Sequence, residues 1–210
     1  MYYRTRPVRK IGVPKMATVL TCICVIVYIA LAVLSRNPIT ISSYWLALAG
    51  QFNYMVLKEG WWWQTFTALF VHVSLLHLAF NAFYLYTIGS SFESNYGVRF
   101  FLLTFFASGI AGNLITLALG PNIISAGASG AIFGLIGAMT MITRARYGGH
   151  MKEALSSLII LLLINSIWQG VNILAHAGGL ATGVILGLAY NRFKRPRYGS
   201  YPYMVRYYRW

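Results

Sequence analysis

Long apolar runs alternate with short polar or basic breaks along most of the chain. Six runs can be drawn, at about 16–35, 72–91, 98–119, 127–143, 153–169 and 171–191. Each approaches the roughly 20 residues that an α-helix needs to cross a bilayer core, and the fourth and fifth are the shortest. The pattern predicts an all-α polytopic membrane protein with six transmembrane helices. One membrane domain over 16–191 is expected between a basic segment, 1–15, and a basic tail, 192–210. No internal repeat is evident. The first run follows "RTRPVRK" and has no small-residue cleavage signal behind it, so it is expected to stay as an anchor.

Composition agrees with the pattern. The chain is 58% hydrophobic and 10% charged, where a soluble domain carries about a quarter charged residues. A net charge of +14 would suit a nucleic-acid partner if the cations formed one continuous face. Instead they punctuate the apolar runs, as in proteins oriented by the bilayer. Of the 17 lysines and arginines, all but Arg36 and Lys58 fall on one set of span ends. Both termini are therefore expected in the cytoplasm, in a multi-pass protein of the cell membrane, with no role in binding nucleic acid. The second, fourth and sixth spans then run from outside to inside. The outer connection from Asn37 to Gly60 is aromatic and leads into "WWW" at 61–63, a composition suited to the membrane interface. The tyrosine-rich basic tail is expected beside anionic lipid at the cytoplasmic face.

Candidate chemistry is sparse. Asp is absent, and the only acids are Glu59, Glu93 and Glu153. Cys22 and Cys24 lie two apart and so point to different sides of a helix, which argues against a disulfide or a shared metal. Without a C-x-x-C or a His/Cys cluster, no metal or cofactor is expected. What stands out is a set of polar residues inside the even-numbered spans. "HLAFN" in the second places His77 and Asn81 at i and i+4, on one helical face. The fourth opens on Ser129 in "SAGASGAIFG", and the sixth carries His176 in "AHAGGLATG". Singly, each is compatible with helix packing or an interfacial position.

Their depths coincide. At about 1.5 Å per residue, Ser129 lies about 22 Å above Arg144, and His176 about 24 Å above Arg192. His77 lies about 24 Å from Glu93 by the same rise. All three fall in the outer half of a core about 30 Å thick. Gly179, Gly183 and Gly187 form a smooth stripe that also holds His176, and Gly130, Gly134 and Gly137 flank Ser129. Such stripes let two helix backbones approach, which would bring serine and histidine together. A serine hydroxyl needs a base to attack an amide, and an imidazole can serve and then protonate the leaving amine. With no carboxylate nearby, a Ser–His dyad is the economical reading, Phe133 being a candidate stacking partner for the imidazole. Unbonded N–H groups at a helix start beside Ser129, with His77 and Asn81, could receive the oxyanion.

At these residues the sequence resembles the rhomboid intramembrane serine proteases. "GASGAIFG", "HLAFN", "AHAGGLATG" and "GSSFESNYG" match in order and spacing across roughly residues 60–190. The resemblance implies a six-helix fold with a water-filled cavity open to the outside. It casts Ser129 as nucleophile and His176 as base, with His77, Asn81 and Ser129 at the oxyanion hole. Gly127, Gly130, Phe133, Gly179 and Gly183 are the supporting positions. It implies transmembrane protein substrates that enter between spans two and five, with the connections near Asn37–Gly60 and Asn165–Gly170 shaping access. Gln64 departs from the pattern, since the family often has Arg there, and this leaves a contact in the first outer connection open. Two rival functions remain. A catalytically inactive rhomboid-fold factor that binds or escorts membrane clients would lack the serine or histidine. A transporter or channel would favour polar residues along a through-path.

Overall fold

The computed structural model describes residues 15–166 and 172–193. Ten helices are assigned among them: α1 (Met16–Ser35), α2 (Ser43–Ala49), α3 (Asn53–Glu59), α4 (Gln64–Thr67), α5 (Leu75–Tyr84), α6 (Ser90–Tyr96), α7 (Val98–Thr116), α8 (Ser129–Tyr147), α9 (Met151–Ser166) and α10 (Ile173–Phe193). A π turn, Leu85–Gly89, joins α5 to α6, making one helical stretch. The six apolar runs fall on α1, the α5–α6 stretch, α7, α8, α9 and α10. Met16–Ser35, Val98–Leu119 and Ile173–Phe193 are long and apolar enough to cross a membrane by length and composition. The basic segments expected at the two ends and most of the connection between the fifth and sixth runs lie outside the described residues, except for Lys15, Arg192 and Phe193.

Helix boundaries differ from the apolar runs for local reasons. The second begins at Leu75 rather than 72, because Ser74 is extended (φ −150°, ψ 162°) and its side chain accepts the His77 N–H. The fourth begins at Ser129 rather than 127: Gly127 has φ +127°, which no right-handed helix accommodates. It also runs on through Arg144 and Arg146 to Tyr147, where a left-handed Gly148 closes it.

The core lies between α1, the α5–α6 stretch, α7 and α8, where Leu20, Cys24, Leu85, Phe92, Phe101, Phe105 and Leu135 are buried. Cys22 is exposed and Cys24 buried, and both are free thiols. Outward-facing residues are just as apolar, with Val33 71% and Ile26 and Ile185 65% exposed. In water that surface would be costly, whereas lipid solvates it. This is the surface of a membrane protein.

Contacts sort the helix ends into two groups. Glu93 on α6 accepts the backbone N–H groups of Lys15, Met16 and Ala17 at 2.9–3.2 Å, closing the first turn of α1. Arg146 sits over the Tyr96 ring at 5.3 Å, and the Asn191 amide donates to the Met141 carbonyl. The start of α1 and the ends of α6, α8 and α10 therefore share one end, which carries Lys15, Arg144, Arg146 and Arg192. Ser129 and His176 are at the other. There a two-stranded antiparallel ribbon pairs Gln51 with Ser125 and Phe52 with Ile124, joining the long connection after α1 to the loop before α8. Gln64 is fully buried in that connection. Its amide nitrogen donates to the Ala47 and Leu48 carbonyls, and its oxygen accepts the Phe52 N–H. The position left open by the sequence is thus an internal tie of the connection.

Candidate active site

Glycine makes the central helix pair possible. A Cβ at Gly179 would collide with the backbone of Gly130, and one at Gly183 with that of Gly134. At Gly187 it would fall 2.6 Å from the Ala138 carbonyl oxygen. α8 and α10 therefore pack backbone on backbone, the close approach that small-residue stripes permit. The last turns of α7 pack against the same pair, and a Cβ at Gly112 would collide with the Ala175 carbonyl.

This packing brings the first turn of α8 to the first turn of α10. Ser129 Oγ lies 2.7 Å from His176 Nε2, a distance at which the hydroxyl donates to the imidazole. The Phe133 ring, one turn along α8, stacks on the His176 ring with centroids 4.5 Å apart and planes 22° from parallel. His176 is buried, while Ser129 is half-buried and reachable. The bond to Ser129 requires a neutral imidazole protonated on Nδ1, and that nitrogen is buried without a protein partner among the described residues. The stack, rather than a carboxylate, sets the ring's plane.

His77 closes the opposite side. A Cβ at Gly127 would fall 2.9 Å from His77 Cε1 and 3.0 Å from its Nε2, and 3.7 Å from Ser129 Oγ. The imidazole edge therefore occupies the space that any side chain at 127 would take. The loop is held there by a bond from the Gly127 N–H to the Ala68 carbonyl. The N–H groups in the first turn of α8, beside Ser129, have no intrahelical acceptor. Asn81, one turn beyond His77, donates its amide to the His77 carbonyl at 2.9 Å. Its Oδ1 is buried with no partner among the described residues. The geometry thus unites Ser129, His176, Phe133, Gly127 and His77, and ties Asn81 to His77 through the backbone.

Two positions escaped the sequence reading. His72 is fully buried, donates from Nδ1 to the Phe70 carbonyl at 3.3 Å, and packs edge-on against the His77 ring at 5.2 Å. Its five-residue separation from His77 gives no helical signal, because it precedes α5. Asn172 caps α10: its side-chain oxygen accepts the Ala175 N–H at 3.1 Å. An Asn before an apolar run is a recognisable cap signal, but nothing local reveals what its amide nitrogen reaches.

The Rhomboid domain family matches residues 59–193, which include every residue of this cluster. Rhomboid protease GluP of Bacillus subtilis (strain 168) is 31% identical over 149 residues, 69% of this chain and 29% of that protein. Rhomboid-like protease 3 of Toxoplasma gondii is 34% identical over 179 residues, 80% of this chain and 66% of the relative. RHOMBOID-like protein 1 of Arabidopsis thaliana is 34% identical over 152 residues, covering 70% of this chain and 39% of the relative. The chain thus spans from under a third to about two thirds of these relatives. With the match extending over most of its length, the chain belongs to the rhomboid family.

Proposed function

We propose that the chain is an intramembrane serine endopeptidase, cleaving transmembrane segments of membrane proteins near their outer ends by a Ser–His dyad. The observation that carries the reading is the 2.7 Å approach of Ser129 Oγ to His176 Nε2, with Phe133 stacked on the imidazole. As Oγ attacks the scissile carbonyl carbon, its proton passes to Nε2. The carbonyl π electrons move to oxygen, and the resulting oxyanion lies toward the first N–H groups of α8 and the His77 edge, with Asn81 assisting. His176 then gives its proton to the leaving amine as the C–N bond breaks, leaving an acyl-serine. Water, deprotonated by the same imidazole, hydrolyses the ester and restores both groups. Gly130, Gly179 and Gly183 support the site by letting backbone stand where side chains would block it, and Gly127 leaves room for the His77 ring.

In this reading six spans over 16–191 form the catalytic domain, flanked by cytoplasmic basic segments at 1–15 and 192–210 that favour anionic lipid. The protein is a multi-pass component of the cell membrane with the dyad on the extracytoplasmic side, a reading that the bias of Lys and Arg supports. Substrate reaches the dyad between α5 and α9 and unwinds locally, because helical carbonyls are otherwise held in backbone bonds. Labelling of the purified protein with a fluorophosphonate tests the nucleophile. Modification at Ser129, lost in Ser129→Ala and strongly slowed in His176→Ala, is expected. An unlabelled, folded wild-type chain would instead favour an inactive binding or escort factor.

A further inference from the structure

We propose that Asn172 is a positioning residue that ties the serine loop to the histidine helix, with Ser125 as its partner on the serine side. The inference rests on Ser129 and His176 being the reacting pair. Serine and histidine come from segments 47 residues apart in sequence, and the glycine stripes that bring α8 and α10 together are smooth. A smooth interface fixes the distance between two helices better than their relative sliding. A misplacement of about 1 Å can cost a reaction about 10²-fold, so something must set the register at the outer end.

Asn172 is built for that task. Its oxygen accepts the Ala175 N–H at 3.1 Å, and its backbone carbonyl accepts the His176 N–H at 3.2 Å. The first turn of α10 is thereby anchored to this one residue. Both amide protons point away from α10: the nitrogen lies 2.6 Å from Ser125 Oγ and 3.0 Å from Thr116 Oγ1. Thr116 is fully buried near the end of α7, and its hydroxyl donates to the Gly112 carbonyl. Ser125 is buried in the ribbon, four residues before Ser129, and pairs with Gln51. The Gln51 amide in turn donates to the Asn53 side chain and to the Asn113 carbonyl on α7. A plain helix cap needs only an acceptor oxygen, which Ser or Asp supplies equally well. The two donor contacts are additional to capping. They join the serine loop, α7 and the histidine helix in one buried, hydrogen-bonded cluster.

The test uses the full chain in detergent, measuring kcat and KM on a transmembrane substrate, the fluorophosphonate labelling rate at Ser129, and thermal stability. Asn172→Ser keeps a cap but cannot span to Ser125, and Ser125→Ala removes the other partner. Each is expected to lower kcat and the labelling rate together by about 10-fold, with KM unchanged and the melting temperature lowered only by the few degrees that the loss of a buried hydrogen bond brings. The double variant should be no slower than the slower single one, since Asn172→Ser already removes the contact to Ser125 that Ser125→Ala removes. Asn172→Asp retains the cap and can accept a hydrogen bond from the Ser125 hydroxyl but cannot donate to Thr116, so it should recover part of the rate that Asn172→Ser loses. Wild-type labelling rates in Asn172→Ser or Ser125→Ala, or losses that multiply in the double variant, would overturn the tie while leaving the dyad standing. A wild-type chain that does not label at Ser129 overturns the dyad and the tie together.

Discussion

α10 and α9 both pack on α8, but by opposite means. α10 meets α8 through glycines, so its backbone lies in contact with the backbone of Gly130 and Gly134. Nothing there can rotate or deform without the whole helix moving. α9 meets the pair through side chains, with Leu158 buried beside Met141 and Leu180. Its Leu155, Ile159, Ile160 and Leu163 face outward. Lipid tails solvate such side chains as well as another helix does, so no hydrophobic term holds α9 in place. One interface fixes how closely the helices of Ser129 and His176 approach. The other lacks such backbone contact, which suits the proposed lateral path for a substrate helix.

The contrast should appear most strongly in Gly179→Leu. A leucine there collides with the Gly130 backbone, so α10 must separate from α8. Loss of both proteolysis and a cooperative thermal transition is expected, measured on purified protein in detergent. His77→Ala should act next most strongly, on chemistry rather than fold. Removing one oxyanion donor lowers turnover by up to about 10²–10³, with folding intact by circular dichroism. Turnover equal to wild type would reduce His77 to a packing residue. Leu158→Ala in α9 should have the smallest effect. Its stability cost should fall below the roughly 2–5 kcal/mol of a soluble core, because lipid removes the transfer contribution, and turnover should be maintained or raised. A collapse of activity in this variant would mean that α9 is as integral to the site as α10.

Much of this arrangement is legible because it is written in local repeats. Hydrophobic runs mark the helices, four-residue glycine spacing marks the α8–α10 contact, and Phe133 lies one helical turn from Ser129. Boundaries are less legible where capping decides them: Ser74 delays α5, and the left-handed Gly127 delays α8 until Ser129 itself. Least legible are the polar ties. Glu93 reaches the start of α1 across 76–78 residues, and Gln51, Asn53, Asn113 and Asn172 bond across loops and helix ends. Asn113 and Asn172 fall within apolar runs and the others in or beside connections, and none shows its partner along the chain. Only the tertiary fold supplies its partner, and for His72 that partner, His77, lies on the far side of a helix cap.

The most direct measurement reconstitutes the full chain in lipid vesicles with a single-span membrane protein and identifies the products by mass spectrometry. The proposed dyad gives one set of cuts near the outer end of the substrate's membrane segment, made by the wild type and absent with Ser129→Ala and His176→Ala, both still folded. Cleavage by either variant at the wild-type rate, or cuts at the cytoplasmic end, would contradict it.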